Sequence, residues 1–341
     1  MFRNPKRMGR WFVIAVTIGL VYSTVALAKK PLKPPPDEEP DAGNPAWAVI
    51  EQNSDNVVLL DSDASGGQNL VGGGGWNYCP AFSPDGEWIA YIHRDRKDGY
   101  GIYRVPTGGG KPEVVLPMTS DQYFYPNRRP LAWVPGETDR IVYTGGYPSQ
   151  IFVVSTVDGG PPVPLGLWGS AAMLCPDWEP DVPGYQGALA YSSGIVNVLL
   201  VEDGPNGLEV DLDSRQWLIS LGNTQGAPAW SRDGTQLAFI HEAGLSRSLL
   251  TVPVLASPDG IILFDELTQV VAIEQEDQMY EFDRPTWSPD DQWLAFIARI
   301  DGNYNLHVVP SDGSSAPVNL APNQSYLEPD WNPNWTDDTA Q

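Results

Sequence analysis

Cysteine is scarce: Cys79 and Cys175 are the only two in 341 residues, too few for a disulfide-built scaffold. Whether they pair is not decided by their spacing. Histidine is limited to His93, His241 and His307, which argues against a multi-histidine metal centre. Positive charge is also short, with 20 Lys and Arg against 43 Asp and Glu and a formal net charge of −23. Such a chain is a poor partner for nucleic acid or anionic lipid. A basic protein surface, a cationic group or a divalent metal suits it better, although the need for solubility also accounts for an acidic surface. No Gly-x-Ser-x-Gly sequence occurs, so the nucleophile elbow of a serine hydrolase is missing. Gly169-Ser170 is the nearest fragment.

The N-terminus supplies the one apolar run that looks like a targeting segment, from Trp11 to Leu20. Arg3, Lys6, Arg7 and Arg10 precede it and Ala26-Leu27-Ala28 follows it, the order of a cleavable signal peptide. Trp11 to Ala28 is also 18 residues, the length of a short membrane anchor, so membrane attachment is expected only if cleavage fails. Residues 1–28 are thus expected to be a signal peptide and the protein to be periplasmic or otherwise exported. Residues 29–45, rich in proline, read as a semi-rigid linker because proline lacks an N–H and restricts its predecessor. Beyond Ala28 the balance is 16 basic against 43 acidic residues, a net of −27.

What the sequence has in plenty is glycine and proline, 34 and 33 residues, which favours many tight turns over long helices. One phrase recurs. Pro80-Ala-Phe-Ser-Pro-Asp-Gly86 precedes Ile89-Ala-Tyr-Ile92, Pro228-Ala-Trp-Ser-Arg-Asp-Gly234 precedes Leu237-Ala-Phe-Ile240, and Pro285-Thr-Trp-Ser-Pro-Asp-Asp291 precedes Leu294-Ala-Phe-Ile297. Pro130-Leu-Ala-Trp133, Pro176-Asp-Trp178 and Pro329-Asp-Trp331 read as looser copies. The six prolines are 50, 46, 52, 57 and 44 residues apart, the size of a four-stranded propeller blade. Within each unit an aromatic sits on a short first strand, Pro-Asp-Gly makes a turn, and a β-rich second strand follows. Third strands read Ile102–Val105, Ile151–Val154, Val198–Val201, Leu249–Val252 and Leu306–Val309.

The sixth unit keeps only its first strand at the C-terminus. Ala46–Ile50 and Asn56–Leu60 match the missing second and third strands, so both ends are expected to share one blade and hide the edges of an open ring. The expected fold is therefore all-β, a six-bladed propeller over 46–335 with a short tail at 336–341.

These repeats resemble the TolB-type propeller repeat along 46–335. The resemblance implies a periplasmic propeller that engages envelope proteins or peptides across its channel mouth. The sequence departs from TolB in having no α/β domain before the propeller.

Little else points to catalysis. His93 and His241 fall at the same repeat position in units one and four, hence on opposite sides of the ring. Asp61-x-Asp63, Asp211-x-Asp213 and Asp301-Gly-Asn303 look like pieces of calcium loops without the full ligand spacing, so no cofactor is expected and Ca2+ is the one candidate. A ring position offers more. The residue before each motif proline should lie at the channel mouth, giving Cys79, Arg129, Cys175, Ala227, Arg284 and Glu328. Their diversity, with Trp76, Tyr78, Tyr123, Tyr125, Arg128, Asp283 and Tyr326 close upstream, favours recognition, because aromatics and arginine dominate interface energetics. Tyr78, Arg128, Arg129, Asp283, Arg284, Tyr326 and Glu328 are the expected ligand-binding residues. The expected partner is an envelope protein or peptide, with a glycan as the other candidate, and a polysaccharide lyase or hydrolase at the same face is the alternative activity.

Overall fold

The computed structural model describes residues 46–336 apart from 73, 121–123, 125–130, 175–184, 186, 194–195, 205–206, 218–224, 244–245, 257–261, 265–267, 274–282 and 301–302. The expected signal peptide and linker lie outside the described residues, as do most residues of the C-terminal tail.

Six antiparallel sheets follow one another. Blade one runs outward through Trp76–Phe82, Trp88–Asp95, Gly99–Pro106 and Glu113–Thr119. Blade two is Leu131–Trp133, Arg140–Gly145, Gln150–Ser155 and Val163–Trp168. Blade three has Ser170–Leu174, Gly187–Ser192 and Val196–Gly204, with Gly207–Val210 and Gln216–Trp217 sharing its outer edge. Blade four has Gln225–Trp230, Gln236–Ala243 and Ser246–Ala256, its outer edge divided between Ile262–Phe264 and Thr268–Ile273. Blade five is Asp283–Trp287, Trp293–Ile300, Asn303–Pro310 and Val318–Asn319. In blade six the C-terminal strand Tyr326–Trp331 is innermost, followed by Trp47–Glu51, Asn56–Leu60 and Gln68–Val71. The expected closure is present: Trp47 pairs with Trp331 and Trp47 also pairs with Leu60. Each inner strand touches the next around a complete cycle, so the sheets form a six-bladed ring.

The hydrophobic code explains the ring. Successive side chains of a strand face opposite sides of its sheet, and here both sides are covered. Trp47 and Val49 pack with Ala295 and Ile297 of blade five, while Ala48 and Ile50 pack with Phe82 and Ile89 of blade one. Continuous apolar runs such as Ile-Ala-Tyr-Ile follow from burial on two faces rather than one. The six buried clusters each join two neighbouring blades and together account for every junction of the ring.

The recurring phrase is turn chemistry. Ser83 is buried, its Oγ accepts from Trp88 N–H at 2.9 Å, and it donates to Asp85. Asp85 in turn accepts from Glu87 N–H at 3.0 Å. Ser231 with Asp233 and Ser288 with Asp290 repeat this arrangement. The motif tryptophans tie blades together: Trp133 Nε1 donates to Ala81 O at 3.0 Å and Trp287 Nε1 to Ala229 O at 2.9 Å, each reaching the preceding blade.

Blade three departs from the sequence reading. In the other blades the motif aromatic pairs with the first apolar residue of the second strand, as Phe82 with Ile89 and Trp230 with Leu237. In blade three Leu174 pairs with Leu189 and Met173 with Ala190. Leu174 therefore holds the place assigned to Trp178, and Pro176-Asp-Trp178 itself lies outside the described residues.

Candidate functional site

A bulge recurs in the inner strands. Register breaks between Tyr78 and Ala81, Ser170 and Met173, Gly226 and Ala229, Asp283 and Thr286, and across Leu327 to Asp330. In every case two inner-strand residues oppose one on the second strand, which bends the strand and re-aims its side chains. The first residue of each pair is Cys79, Ala171, Ala227, Arg284 or Glu328. This is the expected ring, with one correction: the register puts Ala171, not Cys175, in the blade-three place. Cys175 and the blade-two member Arg129 are outside the described residues, as is Arg128. The question of a bond between Cys79 and Cys175 falls with them.

Two members show what the position demands. Cys79 and Glu328 take φ of 55° and 56°, the left-handed region, which costs a side-chain-bearing residue roughly 1–2 kcal/mol. The bulge pays for that strain by letting blades join: Cys79 N–H donates to the Glu328 carboxylate, and Phe82 N–H donates to Asp330 Oδ2 at 2.8 Å. Two carboxylates of blade six thus hold the inner strand of blade one. Glu328 and Tyr326 are both buried, and burial together with Glu51 holds the Tyr326 hydroxyl above its ordinary range. Tyr78 is half-buried. Burial raises its pKa, against a hydrogen bond from Arg94 that lowers it. Asp283 and Arg284 lie on the inner strand of blade five, with their backbone but not their side chains described.

Arg94 and Arg96 were not among the expected site residues. Trp76, Arg94 and Tyr100 are in one cross-strand row, since Arg94 pairs with both. The Arg94 guanidinium lies 5.2 Å from the Trp76 ring centre and 5.1 Å from that of Tyr100, and the Arg96 guanidinium lies 5.2 Å from Trp76. Periodicity could not reveal this, because the register of three strands is needed to bring the residues together.

On the same row's other side, His93 Nδ1 is 2.8 Å from Asn77 Oδ1, and Asn77 donates to Asp55 O at 2.8 Å. Burial lowers the His93 pKa. His93 pairs with Asn77 as His241 pairs with Gln225, so the two histidines are repeat-equivalent and belong to blades one and four. Among the described residues no group of three or more His, Cys, Asp or Glu gathers as a metal set. Asp63 and Asp211 act as turn acceptors, for Ser65 N–H and Asp213 N–H, both at 2.9 Å.

At the opposite end of the ring the motif turns interlock. Asp291 accepts from Arg232 N–H at 2.6 Å and from Asp233 N–H at 2.9 Å. Arg232 Nη1 reaches Pro333 O at 2.7 Å, and Asn334 donates to Asp85 O. Turns of blades four, five, six and one are thereby linked, so that end is built for cohesion while the bulged end carries the varied side chains.

No family model matches the sequence. An uncharacterized protein of Agrobacterium fabrum is 26% identical over 154 residues, covering 42% of this chain and 50% of that protein, so the match spans half of the relative's length. Among solved structures, TolB from Acinetobacter baumannii matches with a TM-score of 0.61 and 15% identity over 84% of this chain and 66% of that one. A TolB-type protein from Agrobacterium tumefaciens gives 0.53 and 15% over 82% and 89%. A chain of the nidogen/laminin complex gives 0.55 and 11% over 84% and 98%. The fold is the TolB-like six-bladed propeller.

Proposed function

We propose that this protein is an exported, non-catalytic propeller that binds a protein or peptide of the cell envelope at the bulged mouth of its channel. One observation carries the reading: the backbone repeats the bulge in five blades, while the residue there changes from Cys79 to Arg284 to Glu328, with alanine at 171 and 227. A position kept for packing alone tends to keep one residue type, and varied side chains on a rigid, repeated frame are the arrangement of a recognition surface. Tyr78, Asp283 and Arg284, with Arg128 and Arg129 of blade two, are the proposed contacts. Tyr326 and Glu328 are buried, and Glu328 holds the Cys79 bulge through its N–H. Likeness to TolB proteins and to a chain from a protein complex supports protein binding in general, and the TolB likeness together with the basic-apolar N-terminus supports export.

The test places a photoreactive residue at position 129 in the native host and identifies crosslinked partners by mass spectrometry. An envelope protein captured by the wild-type surface and lost in Arg284→Glu supports the reading. Capture unaffected by Arg284→Glu moves the site elsewhere. Turnover of a polyuronate by the purified protein would replace it with the lyase alternative.

A further inference from the structure

We infer that the Trp76–Arg94–Arg96–Tyr100 cluster on blade one is a docking site for an acidic peptide segment bearing apolar side chains. The inference deepens the proposed protein-binding function and rests on it.

Two like charges converge on one indole here. Arg94 and Arg96 both approach Trp76 at 5.2 Å, and Arg94 also faces Tyr100 at 5.1 Å. Aromatic faces attract guanidinium groups, yet bringing two cations together still costs free energy unless an anion sits between or beside them. Among the described residues no carboxylate makes an ion pair with either arginine. Asp95, between them in sequence, is engaged by the Lys97 and Asp98 N–H groups, at 2.6 and 3.3 Å. The Asp55 carboxylate acts on Tyr78, which Arg94 also contacts, and it makes no ion pair with Arg94 or Arg96. Arg94 gives one hydrogen bond to Tyr78, and the other guanidinium N–H groups of the pair suit capture of carboxylates.

Charge across the molecule favours the same ligand. With a net charge of −23, most of the surface repels an acidic segment, so one cationic cluster focuses it. Three of the 13 Lys and Arg from residue 46 onward, Arg94, Arg96 and Lys97, fall within four residues at this end of blade one. Behind the cluster the rings are core: Tyr100 meets Phe124 at 5.7 Å and Phe124 meets Tyr143 at 5.7 Å, all three buried between blades one and two, which gives the Arg94 contacts a rigid backing. At the same end of blade two, Tyr147 is 85% and Trp168 is 54% exposed. Two large rings so open to water are the residue types that anchor peptides.

The experiment measures fluorescence anisotropy of labelled Glu-Phe-Glu-Glu-Phe-Glu and its Gln-for-Glu counterpart on the purified chain, with polygalacturonate as competitor. The acidic peptide should bind at least ten-fold tighter than the neutral one. Arg94→Gln with Arg96→Gln should remove at least ten-fold of that affinity while circular dichroism shows the propeller still folded. Arg94→Lys with Arg96→Lys should restore only part of it, because ammonium carries charge without the planar fork. Equal affinity of wild type and the glutamine variant overturns the inference, and so does equal displacement by polygalacturonate at matched carboxylate concentration. Arg284→Glu separates the two readings. Loss of the host partner in Arg284→Glu, with peptide binding indifferent to Arg94 and Arg96, fells this inference alone. Peptide binding that depends on Arg94 and Arg96, with no partner captured at the channel mouth, fells the mouth assignment instead.

Discussion

Trp287 and Trp331 occupy equivalent places in the repeat with different chemistry. Trp287 Nε1 donates to Ala229 O, whereas Trp331 Nε1 is buried and finds no hydrogen-bond acceptor among the described residues. Replacing each by Phe removes similar apolar volume, so the difference between them isolates the bond. Trp287→Phe should cost about 1 kcal/mol more than Trp331→Phe in urea unfolding, and equal costs would show that the bond contributes nothing net. His307 makes a second prediction at this scale. It is buried, stacked on Phe296 at 5.5 Å with its Nδ1 3.0 Å from Asn305 O, and burial lowers its pKa. Below the unfolded value near 6.5 the unfolded chain takes up a proton that the folded protein resists. Stability must therefore fall as pH drops from about 6.5 toward the folded pKa. His307→Phe should flatten that portion of the stability-against-pH curve, and an unchanged slope would remove His307 as its source.

The blade motif owes its legibility to short-range chemistry. Ser83, Asp85 and Gly86 satisfy one another within a few residues, and Gly86 takes φ of 71°, so composition alone announces the turn. Ser83→Ala should destabilise by roughly 1–3 kcal/mol, since the part-buried Trp88 N–H loses its side-chain acceptor. Ser54→Ala, at an exposed turn, is the control, and equal midpoints for the two would refute the argument. Blade three shows where such reading fails. Pro176-Asp-Trp178 has the letters of the motif, but pairing of Leu174 with Leu189 decides the register. Prolines, aspartates and a glycine crowd 176–184, so turn letters there do not fix which residue pairs with Leu189. The Arg94 cluster was hidden for a related reason, because Trp76, Arg94 and Tyr100 become neighbours only once three strands are aligned. By contrast, the bulge in blades one, four, five and six could be found from the motif prolines, since there it begins on the residue just before each of them.

Closure is a property of the whole ring. Trp47 and Trp331 pack at 4.0 Å between ring centres, and Asn332 N–H donates to Ala46 O at 2.9 Å. Removing residues 322–341 should abolish a single cooperative unfolding transition, as followed by circular dichroism, because blade six would lose its inner strand and the sixth junction would open. Addition of a peptide spanning 322–341 should restore the transition in part, and a truncated chain that melts like the parent would show that closure is dispensable. The same placement has a consequence for manufacture. Trp47–Glu51 is the first strand of the propeller to leave the ribosome, and its inner neighbour Tyr326–Trp331 is the last. At about 5–20 residues per second, the earliest strand waits roughly 15–55 s for its partner. During that interval it carries an open edge, so the new chain depends on some holding factor, or on sheer speed, to reach completion before another copy supplies the missing strand.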